Sequence, residues 1–82
     1  MDDLYPVLVY EYNADGEYGP ALRLNTEFQL RNWMRGNLRR ILAEKRELRI
    51  TDTGDLMVFH AVNGSIVYDG ARHYKEGEYP LK

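Results

Sequence analysis

The sequence feature that most constrains the fold is a run of helical periodicity between residues 24 and 48. Mostly apolar side chains recur within it at three- and four-residue steps, which places them along one side of an α-helix. Thr26 followed three residues later by Gln29 is a capping-box pattern, with Asn25 as a competing cap. The pattern predicts a helix from about Thr26 to Glu47. The side chains that share its inner side are Leu30, Trp33, Met34, Asn37, Leu38 and Ile41.

A glycine interrupts this helix near its middle. Gly36 costs about 1 kcal/mol relative to alanine in a helix interior, and it could instead end a first helix, with Asn37 capping a second. The apolar periodicity continues through the glycine without a change of phase. We therefore expect one long helix, straight or bent at Gly36.

The segments on both sides of the helix alternate in the manner of β-strands. Strands are predicted at residues 4–13 and 18–24 before the helix, and at residues 48–51 and 56–62 after it. Turn-forming residues separate each pair, at residues 14–16 and 52–55. The first strand has two predicted faces, with Leu8, Tyr10 and Tyr12 on one and Val7, Val9 and Glu11 on the other.

Asn63-Gly64 is the most specific local signal in the chain. Between two alternating apolar runs, this pair strongly favours a two-residue hairpin with a type I′ turn. The turn sets a predicted register of Val62 opposite Ser65, Ala61 opposite Ile66, His60 opposite Val67 and Phe59 opposite Tyr68. One face is then expected to lie against the helix, namely Met57, Phe59, Ala61, Ile66 and Tyr68. The other face is expected to hold Val58, His60, Val62, Val67 and Asp69.

These elements predict one α+β domain. A chain of 82 residues is long enough for a single modest core. The expected architecture is an antiparallel sheet in the order ββαβββ along the chain, with the helix packed across one face. Residues 71–82 are polar with isolated tyrosines, and they are expected to form a partly irregular tail of the same domain.

The composition excludes several classes of protein. The chain has no cysteine, which excludes a disulfide framework and a thiolate zinc site. Asp2 and Asp3 stand where a signal peptide would carry positive charge. No apolar run approaches the roughly 18 residues needed to span a bilayer. We therefore expect a cytoplasmic protein with no membrane association.

No set of residues in the sequence predicts catalysis or a metal site. Ser65 lies beside the hairpin turn without a partner base, and His60 has only Asp69 as a carboxylate on its predicted face. The tail offers His73 with nearby carboxylates, which is a weak ligand pattern. No glycine-rich phosphate-binding loop occurs. The protein is expected to act without turnover, metal or cofactor.

The charge of the chain is unevenly distributed. The net charge is −2, but residues 27–47 carry six basic and three acidic side chains, so this segment is +3 and the remainder is −5. The ordinary role of a basic helix face is to be solvated. Alternatively, the face could follow a phosphate backbone, which would make this a small nucleic-acid-binding protein, although its net acidity opposes that. The predicted row is Arg31, Arg35, Arg39 and Arg46.

Tyrosine and acidic residues are concentrated in two segments. The chain has seven tyrosines, more than so small a core can bury, and tyrosine is enriched at interface hot spots. Neighbouring carboxylates would select a basic partner surface, such as that of a nucleic-acid-handling protein. The simpler interpretation for part of this set is that the tyrosines are ordinary strand residues whose hydroxyl groups contact water. The predicted partner-binding residues are Tyr10, Glu11, Tyr12, Asp15, Glu17 and Tyr18 around the first hairpin, and Tyr74, Glu76, Glu78 and Tyr79 in the tail.

The stretch from Leu22 to Met34, LRLNTEFQLRNWM, is a strand that runs into a capped helix with a tryptophan two turns in. In this stretch, about a sixth of the chain, and in its small size and acidic α+β character, the protein resembles small phage-encoded anti-CRISPR proteins. The resemblance implies a non-catalytic inhibitor that binds a CRISPR effector (surveillance) complex stoichiometrically and blocks target DNA binding. It also implies action in the cytoplasm of a host bacterial cell. The arginine row departs from a nucleic-acid mimic, which would be acidic throughout.

Overall fold

A computed structural model describes residues 5–13 and 15–69 of the chain. Its elements are β1 (Val7–Glu11), β2 (Leu22–Leu24), α1 (Glu27–Ala43), β3 (Leu48–Asp52), β4 (Met57–Val62) and β5 (Ser65–Asp69). The strands form one antiparallel sheet in the spatial order β2-β1-β3-β4-β5. The predicted α+β class and the ββαβββ order are confirmed. No helix within the described residues is long and apolar enough to cross a lipid bilayer.

Burial of one face of the sheet against α1 forms the core. Val9, Ile50 and Phe59 lie opposite one another across β1, β3 and β4, so they make a continuous row beneath the helix. Trp33, predicted on the inner side of the helix, is partly buried and packs against this core without being enclosed by it. The buried apolar residues are Val7, Val9, Leu24, Leu30, Met34, Leu38, Ile41, Leu48, Ile50, Val58, Phe59 and Ala61.

The helix begins as the capping pattern predicts. The Thr26 side chain accepts a hydrogen bond from the backbone N–H of Gln29, at 3.1 Å. The Gln29 side chain in turn accepts one from the backbone N–H of Asn25, at 2.7 Å. Two backbone donors at the helix start are therefore satisfied by side chains. Thr26, rather than Asn25, is the N-cap.

The predicted end of the helix is wrong by four residues. α1 ends at Ala43 rather than at Glu47, because Lys45 adopts a left-handed backbone conformation with φ of 58°. The N–H of Arg46 then bonds the Ile41 carbonyl at 3.0 Å, and the N–H of Lys45 bonds the Leu42 carbonyl at 3.1 Å. This pair of bonds is a Schellman motif, which usually has glycine where Lys45 stands. The sequence therefore lacked the usual stop signal.

The helix is continuous through Gly36. A Cβ atom added at this exposed position would meet no atom within 4 Å, outside the neighbouring backbone of the helix itself. No other part of the described chain approaches this position closely enough to require glycine, so the glycine only reduces the intrinsic stability of the helix.

Gly36→Ala is expected to raise the free energy of unfolding by about 0.5–1 kcal/mol, because alanine restricts the unfolded chain and favours the helix. Chemical denaturation of the wild type and the variant measures the difference. Gly64→Ala is the matched control, and it is expected to destabilise because Gly64 has φ of 85°. A loss of stability in Gly36→Ala would mean that the helix is broken at this residue.

The second hairpin confirms the predicted turn but not the whole predicted register. Asn63 and Gly64 both have positive φ, at 61° and 85°, as a type I′ turn requires. Val62 pairs with Ser65 and Ala61 with Ile66, as expected. A bulge between His60 and Ala61 then shifts the ladder. His60 therefore pairs with Tyr68 and Phe59 with Asp69, and the predicted pairs His60–Val67 and Phe59–Tyr68 are wrong.

A second bulge, between β3 and β4, reverses two more predicted positions. Ile50 pairs with Phe59, but the next pair is Thr51 with Met57, so Val58 is the extra residue. Val58 is buried in the core at 3% exposure, although it was predicted on the face away from the helix. Met57 lies opposite Thr51 on that other face. Strand alternation could not show this, because a bulge changes the period by one residue.

The first hairpin is shorter than predicted. β2 contains only three residues, and Tyr12 and Tyr18 form an isolated bridge beyond it. Gly19 and Pro20 lie between the bridge and β2, where a proline cannot donate a ladder hydrogen bond. The hairpin therefore opens between its two paired parts, and the isolated bridge places Tyr18 beside β1.

Candidate functional site on the open face of the sheet

The face of the sheet that points away from α1 is covered by no other helix or strand of the described residues; we call it the open face. Strand pairing aligns two rows of side chains across it. The rows are Tyr10–Arg49–His60–Tyr68 and Arg23–Leu8–Thr51–Met57. Aromatic and charged side chains thus stand side by side where a core-forming sheet would carry aliphatic ones.

Three tyrosines, Tyr10, Tyr12 and Tyr18, form a cluster on the open face. The ring centroid of Tyr18 lies 5.2 Å from that of Tyr10, at an interplanar angle of 88°. It lies 5.0 Å from that of Tyr12, at 66°. Both are edge-to-face arrangements, which aromatic pairs favour. Tyr18 is nevertheless 52% exposed, so the cluster is ordered and still presents aromatic surface to solvent.

The loop that carries Tyr18 is held by the side chain of Asn13. Its Oδ1 accepts hydrogen bonds from the backbone N–H groups of Asp15 and Glu17, at 2.9 and 3.0 Å. Gly16 within this loop has φ of 82°, which glycine adopts without strain. The turn predicted from the sequence is confirmed here. It places the exposed residues Asp15 and Glu17 just before Tyr18 in the chain.

Arg49 connects the tyrosine cluster to Glu47 and His60. Its Cζ lies 5.4 Å from the centroid of the Tyr12 ring, within cation–π range. Its Nε donates a hydrogen bond to Glu47 at 2.7 Å, and Nε2 of His60 lies 2.9 Å from the same oxygen. The carboxylate neighbour of His60 is therefore Glu47. Asp69, the predicted neighbour, pairs with a residue on the helix side of the sheet.

This arrangement holds Glu47 ionised. Burial raises the pKa of its carboxyl, but the hydrogen bonds from Arg49 and His60 outweigh that effect, so the pKa is lowered. The hydrogen bond to Glu47 in turn raises the pKa of Arg49. The two charges neutralise each other, so Arg49 offers an aromatic-bound guanidinium rather than a free positive charge.

A concavity of about 300 Å³ lies beside the cluster. Its lining residues are Tyr10, Tyr12, Tyr18, Arg49, Thr51, Asp55 and Met57. Thr51 is only 7% exposed, and its buried hydroxyl oxygen has no hydrogen-bond partner among the described residues. The Asp55 carboxylate, at the exposed rim, has no ion pair or hydrogen bond there either. Two polar groups without partners thus border one hollow.

Thr51→Val is expected to raise the free energy of unfolding by about 1 kcal/mol, because valine keeps the shape and removes a buried hydroxyl without a partner. Thermal or chemical denaturation measures the change. Thr26→Val is the matched control, and it is expected to destabilise by about 1 kcal/mol because the Thr26 hydroxyl caps α1. A destabilised Thr51→Val variant would show that this hydroxyl is hydrogen-bonded in solution.

Glu11 does not belong to the tyrosine surface. It lies on the helix side of β1, where its carboxylate accepts hydrogen bonds from Arg40 at 2.9 and 3.2 Å and from Arg46 at 2.9 Å. The hydrogen bond from Arg40 is the main reason that the pKa of Glu11 is lowered, against the opposing effect of burial. The same contact raises the pKa of Arg40. Glu11 therefore ties β1 to the end of α1, and the structure gives it a stabilising role.

Glu11 is expected to make stability depend on pH at the acid end. Because its pKa is lower in the folded protein than the ordinary 4.5, its contribution is present above about pH 4.5 and is lost as the pH falls through the lowered value. Glu11→Gln should lower the free energy of unfolding by about 1 kcal/mol at neutral pH, since the arginines are partly exposed. It should also make the free energy of unfolding depend less on pH at the acid end. Denaturation at a series of pH values measures both effects. Glu17→Gln, which removes an exposed carboxylate that has no ion pair with any described residue, should do neither.

The arginine row is shorter than predicted. Arg31 pairs with Glu27 at 3.1 Å, and Arg35 donates to the Asn32 side chain at 3.4 Å. Arg46 lies beyond the end of α1 and contacts Glu11, so it does not extend the row. Arg31, Arg35 and Arg39 remain on the outer side of the helix. The sequence interpretation missed one neighbour there, since Phe28 is 72% exposed and shares that side by its spacing.

The predicted tail, residues 71–82, lies outside the described part of the chain. The predicted partner-binding residues Tyr74, Glu76, Glu78 and Tyr79 lie outside it for the same reason, as does His73. Within residues 5–13 and 15–69, no three histidine, cysteine or carboxylate side chains are grouped so that they could hold a metal ion. Comparison with protein-family models, with curated proteins and with solved structures yields no match to this chain.

Sequence reasoning found the three tyrosines but missed their other neighbours. Arg49, Thr51 and Asp55 come from β3 and from the turn that follows it, whereas the tyrosines come from the first hairpin. The sequence did contain one indication, because the alternation of β3 places Arg49 on the opposite face of the strand from Leu48 and Ile50. What the sequence lacked was the pairing of β3 with β1, which brings Arg49 opposite Tyr10.

Proposed function

We propose that the protein is a non-catalytic binding domain whose open face docks on a basic surface of a partner protein. The observation that carries this proposal is the tyrosine cluster together with three exposed carboxylates that have no ion pair among the described residues. Asp55 borders the concavity with the cluster, and Asp15 and Glu17 lie in the loop that leads to Tyr18. By contrast, Glu11 and Glu44 on the helix side are paired with arginines. Carboxylates left without cations beside exposed aromatic rings favour a basic partner.

The aromatic surface supplies the contact area that such a partner requires. Tyr18 and Tyr68 are 52% and 49% exposed, at separate positions on the open face. Tyrosine gives a large rigid contact at low entropic cost, and it is enriched among the residues that dominate binding energy. The edge-to-face contacts already fix the rings of the cluster, which lowers the cost of ordering them on binding.

The partner we propose is a CRISPR effector complex. This choice rests on the resemblance of residues 22–34 to anti-CRISPR proteins and on the chemistry of a DNA-binding surface, which is basic because it binds phosphates. Carboxylates on the open face would occupy such a surface in place of phosphates. Inhibition would then follow from occupancy, with each bound domain blocking the loading of target DNA and no turnover.

One observation favours a second function, direct binding of nucleic acid by the outer side of α1. Phe28 is 72% exposed and lies three residues before Arg31 and seven before Arg35, which places the three on one side of the helix. An exposed aromatic ring beside arginines is typical of surfaces that bind single strands. The three carboxylates that have no ion pair within the described part of the chain would repel phosphates, so we place this function second.

Charge reversal on the two sides of the domain separates the two functions. Asp15→Lys/Glu17→Lys is expected to slow association with the purified effector complex about tenfold at low salt, because it removes the steering charge. Arg31→Glu/Arg35→Glu changes the same number of charges on the helix side, and it is expected to leave the association rate within about twofold. Surface-based binding kinetics at several salt concentrations measure both rates.

Three results would contradict the proposal. Inhibition at far substoichiometric amounts would indicate turnover, whereas the proposal expects saturation at a fixed molar ratio. Loss of function in the arginine variant, together with steeply salt-dependent binding of the free protein to DNA, would establish the second function instead. Absence of a co-eluting species with the effector complex would exclude that partner.

A further inference from the structure

We propose that the concavity beside the tyrosine cluster is a receptor for one arginine side chain of the partner. This inference rests on the proposed function, and it names the group that the open face recognises. The concavity measures about 300 Å³, the lower limit for small-molecule sites, so it suits a single side chain better than a cofactor. Interfaces commonly centre on one anchor residue in such a hollow, and arginine is among the residues enriched there.

The wall of the concavity already binds a guanidinium. The Cζ of Arg49 lies 5.4 Å from the centroid of the Tyr12 ring, so this part of the wall already makes a cation–π contact within the domain. Tyr18 meets Tyr12 edge-on at 5.0 Å and extends the aromatic wall. A second guanidinium would stack on the exposed ring of Tyr18, since planar guanidinium groups stack on aromatic faces more readily than ammonium groups do.

The charge around the concavity selects a cation. Arg49 is neutralised by Glu47, which accepts its hydrogen bond at 2.7 Å. The carboxylate of Asp55, on the rim, has no partner among the described residues. These three groups together carry a net charge of −1. An anionic guest would meet the unpaired Asp55 carboxylate, whereas a guanidinium would pair with it.

Thr51 supplies a second and independent indication. Its hydroxyl is buried at the concavity without a hydrogen-bond partner among the described residues, and such groups are rare in folded proteins. A rotation of about 120° about χ1 would carry the hydroxyl to another staggered position, and a donor held in the concavity beside that position would give this oxygen its missing bond. A guanidinium carries five N–H donors in one plane, so it can bond Thr51 and Asp55 at once.

The test uses three small probes that differ only at the side-chain head: the N-acetyl amides of arginine, citrulline and lysine. Each is titrated into the ¹⁵N-labelled full chain at high millimolar concentration and followed by amide chemical shifts. The arginine probe is expected to shift the amides of Tyr12, Thr51 and Asp55. Citrulline, which has the same shape without charge, is expected to shift none of them, and lysine to bind about fivefold more weakly than arginine.

Variants of the lining residues make the test specific. Asp55→Asn is expected to weaken binding of the arginine probe about three- to fivefold, and Thr51→Val about fivefold. Glu27→Gln is the matched control, since it removes an exposed carboxylate of α1 outside the concavity, and it should leave the affinity unchanged. Equal shifts with citrulline, or an unchanged affinity in both lining variants, would overturn the arginine receptor.

The outcome also distinguishes this inference from the function on which it rests. If no probe binds but the open-face charge reversals still slow association with the partner, the receptor is wrong and the docking face stands. If the probe binds as expected but those reversals have no effect, the arginine receptor stands and the proposed docking face fails.

Discussion

The structure depends on the burial of one side of α1 against one face of the sheet. Leu30, Met34, Leu38 and Ile41 are each no more than 1% exposed, and each such side chain contributes about 1.5–3 kcal/mol of transfer free energy before entropy is counted. The described chain has one helix, so it can cover only one of the two faces. The exposure of the tyrosine cluster is thus a consequence of how the core is made.

The acidic side chains on the helix side of the domain form ion pairs, whereas three others form none within the described part of the chain. On the helix side, Glu11 accepts hydrogen bonds from Arg40 and Arg46 and so fixes the end of α1 to β1. The charges of these three side chains are therefore paired with one another within the domain. Around the open face, Asp15, Glu17 and Asp55 have no such partners among the described residues. Arg23 also lies on this face, and its guanidinium donates a hydrogen bond to the Asn25 side chain. The three carboxylates therefore outnumber this one arginine, although the helix sequence is basic.

The concavity combines rigidity with groups that lack partners. Its aromatic wall is fixed by two edge-to-face contacts and by the guanidinium of Arg49. Thr51 and Asp55 border it without hydrogen bonds of their own side chains among the described residues. A folded domain normally satisfies a buried hydroxyl, because leaving it unsatisfied costs free energy. A buried polar group left without a hydrogen bond is a feature that binding sites commonly show.

The sequence by itself determined the features that depend on neighbouring residues. The Thr26 cap, the Asn63-Gly64 turn and the ββαβββ order follow from short-range hydrogen bonding, backbone sterics and hydrophobic periodicity. Only the tertiary structure decided the two bulges, because Val58 and Val67 fit a regular strand as well as a bulge. It also decided that Glu11 pairs with the helix while Arg49 joins the tyrosines. Those outcomes depend on which strands lie side by side, and that is set by packing of the whole chain rather than by any local pattern.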